Sequence, residues 1–198
     1  GLKWYCSKKK IITKKIIQQY VSKNKFSYID TTNIKGTKIK SWLPLSKNYI
    51  YIKRSLDHYT KIFNKRKKMK IHGDLTLENI FFKNKNVFFI DWEFFNSKKS
   101  WGYDAVYLVL SSVSLPFIAN GTFSNKDKYL FKNLWKQLIE MPINQSITRN
   151  PYEYFIKAIK SDKVLNKSRL ISKRKFFPLI TPKKFQNKIV SIINSEKI

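Results

Sequence analysis

The segment NIFFKNKNVFFIDW, residues 79–92, constrains this chain more than any other. Two runs of aromatic and β-branched residues, NIFFK and VFFIDW, flank the polar break NKN. Runs of that composition favour extended backbone, and a short break between them predicts a β-hairpin. A hairpin returns its two ends to neighbouring positions. Residues just before Ile80 therefore meet residues just after Ile90.

What meets there is unusual for this composition. The chain holds 12 Asp and Glu against 41 Lys and Arg. Four of the acids, Asp74, Glu78, Asp91 and Glu93, nevertheless gather in and around the hairpin. On the incoming side His72, Gly73, Asp74 and Asn79 spell H-G-D-x-x-x-x-N, and Asp91 ends the outgoing strand. Asp74, Asn79 and Asp91 are expected at one mouth. An Asn carbonyl and an Asp carboxylate are hard oxygen donors of the kind Mg²⁺ takes, with water and phosphate completing its shell. Asp74, five residues before Asn79, is placed to accept a proton from an attacking hydroxyl. A solvated acidic face balancing nearby lysines is the plainer alternative, but solvation requires neither the Gly after His72 nor an Asp closing an apolar strand.

The stretches HGDLTLENIFF and VFFIDWEFF together resemble the catalytic loop and metal-binding segment of the aminoglycoside phosphotransferase and choline kinase superfamily. IDWE is most similar to choline kinase-like bacterial phosphotransferases, and WGYDAVYLV resembles the segment in which an Asp opens a buried helix beneath that loop. The likeness spans about residues 70–112. It implies a protein-kinase-like C-terminal lobe and ATP- and Mg²⁺-dependent phosphoryl transfer to a hydroxyl of a small molecule. Carried over by position, Asp74 is the catalytic base, and Asn79 and Asp91 hold Mg²⁺ on the nucleotide phosphates. His72 and Asp104 are structural supports, Asp104 as helix cap and loop anchor, and Glu93 either reaches a metal-bound water or sits on the loop. The acceptor implied is a choline-like amino alcohol, a sugar or an aminoglycoside. Trp92, Phe94, Phe95, Trp101 and Tyr103 could cage a quaternary amine by cation–π contact, or could be core.

The likeness fades upstream. Kinases of this fold carry an N-terminal lobe with a glycine-rich loop over the phosphates. Before Gly73 this chain has only Gly1 and Gly36. It also begins with Gly, so the expectation is a single lobe over residues 1–198 that belongs to a longer kinase. A degenerate, non-catalytic interaction module is the rival.

The formal net charge of +29 offers a third class, a basic binder of nucleic acid or of an anionic membrane surface. Only five of the cations are Arg, the residue that reads phosphates and base edges by its planar fork, so nucleic acid is disfavoured. Abundant Lys with Ile, Asn and Phe also fits compositional bias. One cysteine, Cys6, excludes an internal disulfide and a Cys-cluster zinc site, and two histidines leave little for a His-based one. A cytoplasmic setting fits.

Around the hairpin the pattern is helical, giving an α+β chain that is mainly helix. Ile11, Ile12, Ile16, Ile17, Tyr20 and Val21 predict a helix over 7–24. Tyr49, Ile52, Leu56, Tyr59 and Phe63 predict another from about 46 to 66. An apolar helix is expected from about Asp104 to Pro116. A fourth covers 125–140 with a stripe of Tyr129, Leu130, Leu134 and Leu138. Pro151 opens a fifth, and Thr181, as cap, with Pro182 opens the last.

Overall fold

The computed structural model describes residues 17–23, 26–31, 37–63, 68–83, 86–92, 94–95, 98–100, 102–141, 150–160 and 181–195. The chain is α+β and mostly helical. Its sheets are small and antiparallel. Strands β1 (Ile17–Lys23) and β2 (Phe26–Thr31) pair with each other. Strand β3 (Thr37–Lys38) joins the central hairpin of β5 (Ile80–Lys83) and β6 (Asn86–Phe89) in the order β3-β5-β6. Strand β4 (Lys68–Lys70) pairs with β7 (Lys98–Ser100).

The helices are α1 (Leu45–Ile62), α2 (Tyr103–Asn120), α3 (Asn125–Glu140), α4 (Pro151–Lys160) and α5 (Lys183–Asn194). Helix α2 is the centre: every residue from Tyr103 through Ser114 is buried. Its residues are apolar on every side, so it has no face to turn to water and must be surrounded. The hydroxyls of Ser111 and Ser112 both donate to the Leu108 carbonyl, at 3.0 and 2.6 Å, which makes them tolerable inside.

Helix α1 packs on α2 and α3 and buries Leu45, Ile52, Leu56 and Tyr59, a stripe at seven-, four- and three-residue steps. Each such side chain contributes about 2 kcal/mol on burial. Two contacts fix α1 and α3 side by side and parallel. The Ser46 N–H donates to Asp127 Oδ1 at 3.1 Å, and Gln137 Nε2 donates to Asp57 Oδ1 at 2.9 Å. Asp127 also closes a capping box with Ser124 at the start of α3, so one carboxylate ties two helix N-termini.

Five expectations need correction. Residues 17–23 of the expected first helix are strand β1, because residues 26–31 supply a partner across a two-residue break; residues 7–16 lie outside the described residues. Helix α1 ends at Ile62 rather than near Arg66. Helix α2 runs through Pro116 to Asn120 and ends at Gly121, whose φ of 66° and N–H bond to Phe117 O at 2.7 Å form a left-handed cap. On α3 the buried stripe is Phe131, Leu134, Trp135 and Leu138, while Tyr129, on the opposite face, is 64% exposed. Pro182, not Thr181, holds the N-cap position of α5; the Thr181 carbonyl instead accepts Gln186 Nε2 at 3.0 Å. Among the described residues no helix is long and apolar enough to cross a membrane.

Candidate active site

The H-G-D loop leaves β4 and crosses the N-terminus of α2, where one side chain holds it. Asp104 Oδ2 accepts the His72 N–H at 2.8 Å and Oδ1 accepts the Gly73 N–H at 2.9 Å. Asp104 is fully buried, and the N-cap position of α2 belongs to Gly102. It is thus a loop anchor and not the helix cap also expected of it. Burial pushes its carboxyl up to about 7, against the downward pull of the two N–H donors; the nearby Asp74 charge adds to the rise. Tyr59, also fully buried, accepts the Gly102 N–H on its hydroxyl at 3.4 Å and braces the same corner.

Gly73 is required on two counts. Its φ is +88°, a region that other residues rarely adopt. A Cβ there would lie 2.5 Å from Phe94 Cβ and 2.9 Å from the Phe94 carbonyl oxygen. The loop and the segment after the hairpin therefore touch backbone to backbone.

His72 joins these two segments from the other side. Its Nε2 lies 2.7 Å from the Ile90 carbonyl, which can only accept, so Nε2 carries the proton. Nδ1 then accepts the Asp74 N–H at 3.3 Å. The ring rests against Trp92, centroids 4.5 Å apart, and Trp92 Nε1 donates to Phe89 O at 3.0 Å. Both ring nitrogens of His72 are thus engaged with backbone groups of the two segments.

Asn79 ends a single 3₁₀ turn, Leu77–Asn79, that feeds β5. Its Nδ2 donates to the Asp74 carbonyl at 2.8 Å and to the Asp74 carboxylate Oδ2 at 3.2 Å. The five-residue spacing is what lets the turn fold back on Asp74. Across the hairpin the Ile90 N–H donates to Asn79 O at 2.9 Å, so Asn79 pairs with Ile90 and Asp91 is the next residue along. The expected meeting of the two hairpin ends is observed.

Asp91 is exposed, with φ of 58°. Among the described residues it is the one non-glycine in the left-handed region, a conformation costing about 1 kcal/mol that tends to occur at functional sites. The donor set fits a hard divalent cation. With its nitrogen committed to Asp74, the Asn79 amide has its oxygen left to offer, and Asp91 adds a carboxylate. Among the described residues no three or more His, Cys, Asp or Glu gather into a cage. Protein would supply about two ligands, the usual Mg²⁺ arrangement.

The remaining acids differ in fate. Glu78 is exposed and accepts the buried Ser41 hydroxyl at 2.6 Å, a contact the sequence did not announce. Glu93 lies outside the described residues, as does Trp101. Of the aromatic residues considered for a cage, Phe95 and Tyr103 are core, and Trp92 and Phe94 are half-buried.

No protein-family model matches the chain, and no curated protein or solved structure matches it either.

Proposed function

We propose that this chain is the catalytic lobe of a protein-kinase-like phosphotransferase that moves the γ-phosphoryl group of ATP to a hydroxyl of a small molecule. The reading rests above all on one observation: Asn79 is hydrogen-bonded to Asp74 through its amide nitrogen and paired through its backbone with the residue before Asp91. In this reading a base and two hard oxygen donors would share one mouth.

In this reading the Asp74 carboxylate orients the acceptor hydroxyl and takes its proton as the hydroxyl oxygen attacks the γ-phosphorus and ADP departs. The Asn79 Nδ2 contact fixes the Asp74 carboxylate in place. Asn79 Oδ1 and Asp91 would hold Mg²⁺, which when bound neutralises phosphate charge. Asp104 and His72 keep the loop at its separation from Asp91. Such pre-positioning is most of what phosphoryl transfer asks of a protein. A choline-like amino alcohol, a sugar and an aminoglycoside are the acceptor classes in view.

The rival reading is a non-catalytic module that retains the loop. Calorimetry of ATP with and without Mg²⁺, beside Asp91→Ala, tests the proposal. Metal-dependent binding that disappears in Asp91→Ala is expected. Binding indifferent to both metal and Asp91 would overturn it, and metal-dependent binding without transfer to any acceptor would favour the rival.

A further inference from the structure

The bond between Ser41 and Glu78 has no part in the chemistry described above, yet it ends one residue short of Asn79. Glu78 Oε1 accepts the Ser41 hydroxyl at 2.6 Å, the short length expected of a hydroxyl on a carboxylate. Ser41 is buried and Glu78 is exposed. One oxygen of a surface carboxylate is thus turned onto a buried donor.

Strand register explains why these two meet. Strand β3 pairs antiparallel with β5, Thr37 opposite Phe82 and Lys38 opposite Phe81. The same register carried onward sets Ser41 opposite Glu78, beyond the point where the backbone ladder stops. The side-chain bond closes the ladder at the end where β5 leaves the 3₁₀ turn Leu77–Asn79. The Ser41 side of the bond is itself held. The Lys40 carbonyl accepts the Leu43 N–H at 3.2 Å and Asn48 Nδ2 at 2.9 Å, and the Trp42 carbonyl accepts Asn120 Nδ2 at 3.0 Å. Ser41 is therefore fixed to the start of α1 and the end of α2.

Asn79 sits between two such ties. Toward β6 its carbonyl accepts the Ile90 N–H, and toward β3 the residue before it is bonded to Ser41. A single 3₁₀ turn has few bonds of its own to hold its shape. Here they are the Asn79 N–H on Thr76 O at 3.1 Å and the Ile80 N–H on Leu77 O. Where the turn is fixed decides where the Asn79 amide stands.

We propose that Ser41 and Glu78 are a positioning pair: their bond fixes the Leu77–Asn79 turn and so the place of the Asn79 amide, the group assigned to the cation. The purpose of the pair rests on the phosphotransferase reading, whereas the coupling of Ser41 to the turn does not. Neither residue touches cation, nucleotide or acceptor in this role.

Ser41→Ala breaks the bond with least damage, because Glu78 is exposed and its freed carboxylate returns to water. Glu78→Ala is the second variant, and it leaves the buried Ser41 hydroxyl without this partner. Hydrogen exchange on the unliganded protein reads the turn directly. In both variants the backbone amides of Asn79 and Ile80 are expected to exchange about tenfold faster, while those of α3 stay as in the parent. Glu78→Gln keeps an acceptor oxygen and should remain within about twofold of the parent. Calorimetry reads the consequence: the Kd for Mg·ATP should rise about fivefold in Ser41→Ala, with the Kd for ATP without metal unchanged. A merely structural bond would lower Tm without separating these two affinities. The proposal is overturned if Asn79 and Ile80 exchange as in the parent, if the α3 amides speed up equally, or if Ser41→Ala binds Mg·ATP as the parent does. A parent protein with no metal-dependent binding of ATP would sink the phosphotransferase reading instead, and exchange alone then decides whether Ser41 holds the turn.

Discussion

Asp104 accepts the backbone N–H of Gly73 at 2.9 Å, joining the first turn of α2 to the loop of Asp74 across 31 residues of chain. The same carboxylate takes the N–H of His72. An anion serves this geometry, yet full burial disfavours the charge, and the carboxyl is pushed from its ordinary 3.8 up to about 7. The folded protein therefore binds this proton more tightly than the unfolded chain does. Stability from this group is fully present below pH 3.8 and is lost as pH rises through about 7. Urea unfolding of wild type and Asp104→Asn across that range checks the sign. Stability of the wild type relative to the variant should fall with rising pH, by at most about 1.4 kcal/mol per pH unit. A constant difference would mean that Asp104 titrates alike in both states.

Gly73→Ala is expected to cost about 2–4 kcal/mol, because it meets both a left-handed φ and the backbone of Phe94. Trimming Phe94 to Ala should not rescue it, since the offending Cβ and carbonyl oxygen both remain. Thermal unfolding of the single and double variants decides the matter. Recovery in the double variant would show that the conflict is with the phenyl ring, contrary to the geometry.

His72→Phe keeps a ring against Trp92 but removes both nitrogens. The Ile90 carbonyl and the Asp74 N–H then lose their partner, a loss of about 2 kcal/mol. Because these bonds link the loop of Asp74 to the segment of Asp91, turnover should fall while the Kd for ATP stays within about twofold. Denaturant unfolding together with nucleotide titration separates the two effects. A variant as stable as wild type would deny His72 its bridging role.

Much of this site is written locally in the sequence, and the rest is not. The hairpin is legible because Phe81, Phe82, Val87 and Phe88 favour strand on either side of a polar break. The meeting of Asn79 with Asp74 follows from their spacing. The grip of Asp104 on His72 and Gly73 is invisible for a physical reason: its partners are backbone N–H groups, which every non-proline residue has. Ser41 holding Glu78 leaves no periodic mark either. Strand β1 misleads because Ile17, Tyr20 and Val21 also satisfy helical spacing, and only pairing with β2 decides the outcome. Pro116 misleads differently. It removes one N–H and leaves the Ser112 carbonyl without its helical donor, but α2 is fully buried up to Ser114, Pro116 itself is buried, and the helix continues to the stronger stop signal at Gly121.

Asp74→Asn is the sharpest test of the chemistry. The replacement preserves size, and its amide oxygen can still accept from Asn79 Nδ2, so the loop should hold its shape. What disappears is a carboxylate able to take a proton. Mg²⁺-dependent release of ADP in the presence of an acceptor should fall about 10²–10⁴-fold, with affinity for Mg·ATP nearly unchanged. Asp91→Ala should lose turnover and affinity together if, as proposed, its carboxylate holds the cation and does not take the proton. If Asp74→Asn turns over like wild type, Asp74 is not the base. If it loses nucleotide binding as Asp91→Ala does, the two residues share one function, and the division between proton acceptor and metal ligand is wrong.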